Sequence, residues 1–284
     1  VETFSFQFAN IIIQAYFTEH LVLATPDNGV AIAIYAACKA TVKVGDGKEI
    51  TLHEETNYPF EEAIAFTVST GEKVAFPFYL RIPSWTQKAE VRVNGKKVSA
   101  APVAGKYLCI NREWANGDRV ELTLPMSLSM RTWQVNKNSV SVDYGPLTLS
   151  LKIAEKYVEK DSRETAIGDS KWQKGADSKK WPTTEIYPDS PWNYSLVLDK
   201  KEPLKNFKVI RKSWPTDNYP FTVASVPLEV KAIGRPVPEW KIDETGLCGV
   251  LPEEDAVKGD KEEITLIPMG AARLRISAFP NTKE

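Results

Sequence analysis

The side chains able to do chemistry in this sequence are few and scattered. There are two histidines, His20 and His53, and most acid–base, triad and metal mechanisms lean on imidazole. The three cysteines, Cys38, Cys109 and Cys248, lie far apart and form no CxxC pair, which removes the spacing of a zinc ribbon or redox dithiol. Cys38 and Cys109 sit in apolar, strand-like runs and read as buried free thiols. Carboxylates come in adjacent sets: Glu54-Glu55, Glu61-Glu62, Glu253-Glu254-Asp255 and Glu262-Glu263. Two carboxyl groups suffice for glycoside hydrolysis when they flank one bond. Neighbours along a strand point to opposite faces, however, so these sets read as solvated edges and turns. Asp27-Asn28-Gly29 and Gly45-Asp46-Gly47 offer oxygen ligands for calcium, but neither fits an EF-hand loop, and turn chemistry accounts for both. No P-loop or GxGxxG fingerprint occurs. Gly168-Asp169-Ser170 is followed by Lys171 and Trp172, so there is no GxSxG elbow. No catalytic residue and no metal ligand is assigned.

Ring stacking is the other available chemistry. Trp172, Trp181, Trp192, Tyr194, Trp214, Tyr219 and Trp240 lie among prolines and polar residues in the second half. Such rings give a large contact area at small entropic cost and suit sugar faces. Trp192, Tyr194 and Trp240 are the carbohydrate-contact candidates. The competing reading is that they plug small β cores or seams, as expected for Trp85 and Trp114.

The elements that must position these groups are strands. Residues 1–22 have a helical look, and the pattern changes after Gly29. Strands are expected at Val30–Tyr35, Lys39–Val44, Ile50–Thr56, Ala63–Ser69 and Val74–Ile82, each a short β-branched or alternating run. Asn94-Gly95 between Val91-Arg92-Val93 and Lys96-Lys97-Val98 is a strong hairpin signal. Further strands are expected at Tyr107–Asn111, Val120–Leu124, Ser139–Asp143, Leu147–Ile153, Ser195–Leu198, Phe207–Arg211, Val226–Ile233, Glu263–Ile267 and Arg273–Ser277. Ala154–Trp181 is rich in Lys, Asp, Glu and Ser and reads as a long exposed connection. No repeat period appears. The 284 residues, 43% of them hydrophobic, are enough for two β domains. The net charge of -1 gives no field for nucleic acid or an acidic membrane surface, and no apolar run reaches the length of a membrane span.

Several stretches resemble one family. They are Ala24-Thr25-Pro26-Asp27-Asn28-Gly29, Glu55-Thr56-Asn57-Tyr58-Pro59-Phe60, Leu80-Arg81-Ile82-Pro83-Ser84-Trp85, Arg112-Glu113-Trp114, Leu124-Pro125-Met126, Tyr144-Gly145-Pro146-Leu147, Tyr187 to Tyr194, Pro238-Glu239-Trp240 and Leu266 to Arg275. In this order they resemble glycoside hydrolase family 127, the β-L-arabinofuranosidases and relatives, from about Glu19 to Pro280. The resemblance implies an N-terminal (α/α)6 barrel in which a zinc-held cysteine thiolate attacks the anomeric carbon and a glutamate is acid/base. None of those residues can be carried onto this chain, so no cofactor is expected in it and zinc is implied only for the absent barrel.

The expected fold is all-β: two β-sandwich (jelly-roll-like) domains, the second inserted in the first, with a short N-terminal helical segment. Residues 1–22 are then a lead-in from the barrel, 23–153 plus 262–280 the first sandwich, and 154–261 the inserted domain. The expected role is non-catalytic: to support the barrel and shape the rim of the sugar cleft. The alternatives are a carbohydrate-binding module using exposed aromatic residues, or a structural docking domain. The expected partners are the (α/α)6 domain, with residues near Leu21–Asn28 at the seam, a plant-type glycan, and a second copy through the barrel-facing surface. Val1 is not Met and no signal-peptide pattern follows, so the chain is expected to start after processing or inside a longer product. A periplasmic or secreted parent is the expectation for localisation.

Overall fold

The computed structural model describes residues 15–161, 179–180, 182–244, 246–252 and 259–283. Among the described residues the chain is nearly all β, with a short helical stretch at residues 15–19 and a 3-10 turn at Met269–Ala271, and it divides into two compact units, Val1–Ser127 and Leu128–Glu284. The expected strand series is present, with boundaries shifted by a few residues, except at Arg273–Ser277.

The first unit contains β1 (Val22–Ala24), β2 (Val30–Ile32), β3 (Cys38–Val44), β4 (Lys48–Thr56), β5 (Ala63–Thr70), β6 (Val74–Arg81), β7 (Glu90–Val93), β8 (Lys96–Lys97), β9 (Tyr107–Trp114) and β10 (Arg119–Thr123). They form a four-stranded sheet, β1-β2-β6-β9, and a six-stranded sheet, β3-β4-β5-β10-β7-β8. Alternation decides what faces inward. In β6 it buries Val74, Phe76, Phe78 and Leu80; in β5 it buries Ile64, Phe66 and Val68. Inner residues of both sheets share one core, which makes this unit a β-sandwich. Trp114 is fully buried between the rings of Phe76 and Phe78, each 5.7 Å away, and its Nε1–H donates to Phe76 O at 3.0 Å. Burying a ring of this size stabilises the fold by about 2–3 kcal/mol. The Asn94-Gly95 hairpin forms as expected: both residues have positive φ, 49° and 76°, the requirement of a type I′ turn. Asn94 also ties the turn to β10, its Nδ2 donating to Asp118 Oδ1 and its Oδ1 accepting from Arg119 N–H.

The second unit contains β11 (Leu128–Trp133), β12 (Ser139–Tyr144), β13 (Leu147–Leu151), β14 (Glu155–Lys160), β15 (Thr183–Pro188), β16 (Tyr194–Leu198), β17 (Lys208–Arg211), β18 (Leu228–Pro236), β19 (Glu262–Pro268) and β20 (Asn281–Lys283). One eight-stranded sheet runs β11-β12-β13-β19-β18-β16-β20, with β17 on β18, and it curls into a half-barrel. A bridge between Val140 and Phe279 draws the β12 side toward the chain's last segment, and a separate core fills the concave side. The β11–β12–β13 corner is fixed by a bidentate Arg131–Asp143 pair at 2.7 and 2.9 Å, with Thr148 donating to the same carboxylate.

Three sequence expectations are corrected here. The junction was expected at Ile153/Ala154, yet the contacts divide at Ser127/Leu128. β19 pairs with both β13 and β18, so residues on either side of Ile153 share one sheet; a loop composition break does not reveal such long-range pairing. Arg273–Ser277 is not a strand. Ile276 instead joins the sheet irregularly, its N–H donating to Ser150 Oγ and its C=O accepting from Leu151 N–H. The long connection contains β14, which pairs with β15 as an isolated ribbon. Both its faces are polar, so no apolar alternation betrays it. Residues 162–178, with Trp172, and Trp181 lie outside the described residues, as do Glu253, Glu254 and Asp255.

Candidate functional sites

Three places gather groups with chemical potential. The first is a polar trough of about 540 Å³ on the outer face of β5, β10 and β7. Ala63 and Ala65 leave it open. Glu55, Glu90, Glu121, Arg92 and Arg119 line it. These charges are spent on one another: Arg119 pairs with Glu55 at 3.1 Å and Glu121 at 3.6 Å, and Arg92 with Glu90 at 3.7 Å. Exposed pairs of this kind are worth little in stability. Glu61 completes the lining and accepts from Asn57 Nδ2 at 3.1 Å, with no ion pair among the described residues.

The second is a buried acid. The β4 alternation that buries Ile50 and Leu52 also buries Glu54, which is 1% exposed. It stands opposite Cys38 on β3 and Phe66 on β5. Its Oε2 receives the Cys38 thiol at 3.8 Å, the Ala36 N–H donates to the carboxyl, and Oε1 has no hydrogen-bond partner. Burial pushes the carboxyl up to about 8, and the Cys38 thiol beside it up to about 11. A carboxyl in this state is neutral at pH 7. Tyr35 is close, its hydroxyl donating to Arg81 O at 2.5 Å, and burial raises its pKa well above the phenol range. Glu54 was read from sequence as a solvated edge residue. The missed signal is its register with Ile50 and Leu52. The neighbouring Glu55 does face solvent, as strand alternation requires.

The third place is an apolar groove of about 320 Å³ in the second unit. A hairpin builds one wall: Ile242 bridges Cys248, Gly249 N–H donates to Lys241 O, and Asp243 N–H to Leu247 O. Trp240 anchors that hairpin to the core through Nε1–H to Gly249 O at 2.9 Å. Trp192 packs edge-on against Trp240, ring centroids 5.2 Å apart at 64°. Asn193 locks the pair by donating to Val237 O and Trp240 O. Of the three candidate sugar contacts, Trp240 (3% exposed) and Tyr194 (7%) are buried and present no face to solvent. The Tyr194 hydroxyl is raised to about 12 by burial and by its hydrogen bond to Glu262. Trp192 is half-buried and lines the groove, with Tyr187 and Leu247 exposed beside it.

The remaining singled-out residues have structural work. Glu62 Oε1 accepts from Met126 N–H, Glu61 from Asn57 Nδ2, and Glu263 pairs with Lys231. Asp27 accepts from Thr25 and from Tyr79 at 2.6 Å, and those hydrogen bonds hold its carboxyl below the usual range. Gly45, at φ +54°, donates its N–H to Asn28 O. Cys109 was expected to be buried but is exposed, because it falls on the outward positions of β9. Among the described residues, no three His, Cys, Asp or Glu side chains converge as a metal site. None of the described helices is long and apolar enough to cross a membrane.

Comparison with known proteins gives this fold a class. Residues 29–126 match the model of the β-L-arabinofuranosidase GH127 middle domain. The chain is similar to a GH127 β-L-arabinofuranosidase from Geobacillus stearothermophilus T6, with a TM-score of 0.58 and 21% identity over 93% of this chain and 35% of that one. It is also similar to a protein described as a glycoside hydrolase (0.58, 22%, 92% and 37%) and to a GH127 β-arabinofuranosidase (0.57, 22%, 91% and 36%). At these identities the structural likeness is one of fold. No curated protein matches. The chain spans little more than a third of the length of these solved structures. The likeness to GH127 therefore rests on the middle-domain match over residues 29–126, and for the rest of the chain on fold.

Proposed function

We propose that this chain is the non-catalytic β region of a glycoside hydrolase of the GH127 type, supporting a helical catalytic barrel and shaping the rim of its sugar cleft. The observation that carries this is the match of the first sandwich to a middle domain. The site chemistry supports it. Glu55, Glu90 and Glu121 in the trough are ion-paired, Glu54, whose carboxyl burial pushes up, is sealed in a core, and no acid is among the described residues that line the aromatic groove. Rigid sheets of this kind hold loops and partner elements at fixed positions. Tyr16, Phe17 and Leu23 are exposed around β1, the segment expected at the barrel seam. The test is co-purification of the chain with a GH127 barrel expressed as a separate polypeptide. The expected result is a complex whose barrel melts at a higher temperature than the barrel alone. Independent elution and an unchanged Tm would refute the support role.

A second reading, contact with glycan, is favoured by one observation: Trp192 is an immobilised ring at the side of an open groove. Titration with neutral and acidic plant oligosaccharides tests it, with binding lost in Trp192→Ala as the expected result. No binding of either class would remove this reading.

A further inference from the structure

Among the described residues, the charged ones lining the Trp192 groove are Arg273 and Arg275, with no carboxylate beside them. Among the described residues, Arg275 engages only Nε, which donates to Ala272 O at 2.9 Å. The Arg273 guanidinium makes no ion pair among the described residues. Only its backbone N–H is engaged, by Glu155 Oε1 at 3.0 Å. Glu155 accepts that N–H and the Tyr157 hydroxyl, and Glu185 accepts the Tyr187 hydroxyl; neither forms an ion pair with Arg273 or Arg275. A groove walled by Trp192, Tyr187, Ile242 and Leu247 that carries two guanidinium groups without an ion pair among the described residues is complementary to a ligand with both an apolar face and a negative charge. The ring is preorganised, because Trp240 and Asn193 fix it and Glu185 tethers Tyr187; little ordering cost remains on binding. Guanidinium groups favour carboxylates because their planar forks match the two oxygens.

We propose that this groove is a binding subsite for a uronic-acid residue of a glycan, its C–H face against Trp192 and its carboxylate on Arg273 and Arg275. The proposal rests on the glycan-contact reading and adds the charge of the sugar. It requires no catalytic group, and it gives the second unit a recognition task separate from support of a barrel.

The test uses the whole chain and two probes that differ only in charge: trigalacturonate and its methyl ester. Binding is read by calorimetry or by chemical shifts of the indole N–H signals at low salt. The acid is expected to bind at least about tenfold more tightly than the ester, since a hydrogen bond to an ionised partner contributes on the order of one to two decades of affinity. The exposed pair Arg273→Ala and Arg275→Ala is expected to reduce the acid to the ester's affinity, with circular dichroism unchanged. Arg275→Lys should restore part of the difference. The preference should shrink in 1 M salt. Equal binding of acid and ester would overturn the anionic assignment and leave glycan contact standing. Binding of neither, by a folded chain, would overturn both.

Discussion

Glu54 makes the sharpest demand on the structure. Replacing it by glutamine keeps its shape and the oxygen that accepts from Ala36 N–H, and removes only the ability to ionise. The native carboxyl sits at about 8 against an ordinary 4.5, so between these values the folded chain holds a proton that the unfolded chain has released. Stability from this group is therefore greatest below pH 4.5, falls as pH rises, and reaches its floor above about pH 8. At 1.36 kcal/mol per pH unit the full loss is about 5 kcal/mol, of which about 3 kcal/mol has accrued by pH 7. Glu54→Gln carries no such loss. Urea unfolding at pH 5, 7 and 8.5, with hydrogen exchange in β4 to isolate the first unit, should show near-equal stability at pH 5. The variant should lead by about 2–3 kcal/mol at pH 7 and by more at 8.5. The difference between the two proteins cancels His20 and His53, which both contain. A pH-independent difference, or a variant less stable throughout, would show that Glu54 is charged and held by a partner, and the reasoning would be wrong.

Other outcomes follow from the same contacts. Trp114→Ala should cost about 3–5 kcal/mol in the first unit, read by urea unfolding, because a sealed ring and its hydrogen bond are both removed. For Glu229, burial pushes the carboxyl up, but hydrogen bonds from Lys152 and Lys212 at 2.7 and 2.8 Å outweigh it and hold the pKa below its ordinary value. Its contribution should be present above about pH 4.5 and fade as pH falls below that. Glu229→Gln should lower stability at pH 7 by about 1–2 kcal/mol and leave it little changed at pH 3. Thiol labelling of the folded chain at pH 8 should modify exposed Cys109 and Cys248 quickly and Cys38 slowly, since burial has raised that thiol to about 11. Equal rates at all three would contradict the packing of β3 on β4.

Much of the first sandwich could be read from sequence because its strands bury one face. Val74 to Leu80 alternates without interruption, and Asn94-Gly95 names its own turn. The second unit was harder for a physical reason. Glu155–Lys160 and Thr183–Pro188 bury little on either face, so pairing decides them and composition does not. Arg273–Ser277 has the apolar pattern of a strand, yet Ser150 captures the Ile276 N–H and the chain turns irregular. The candidate rings divided in the same way. Trp192, Tyr194 and Trp240 share a composition and a neighbourhood in sequence, but whether a ring faces solvent depends on which face of which sheet it joins. Trp240 lies under the hairpin that ends at Gly249, and Trp192 lies beside it. The positive charges of the groove come from Arg273 and Arg275, which looked like strand residues. Glu54 was legible in principle: residues 50, 52 and 54 share one face, and the third is an acid.

The central claim is that the sheets recognise and support while another module hydrolyses. Its most direct measurement is the release of nitrophenol from a nitrophenyl β-L-arabinofuranoside by the purified chain, with zinc added and at high protein concentration. The account predicts a rate equal to buffer at every concentration. A rate that rises in proportion to the chain and disappears in Glu54→Gln or Glu121→Gln would contradict it.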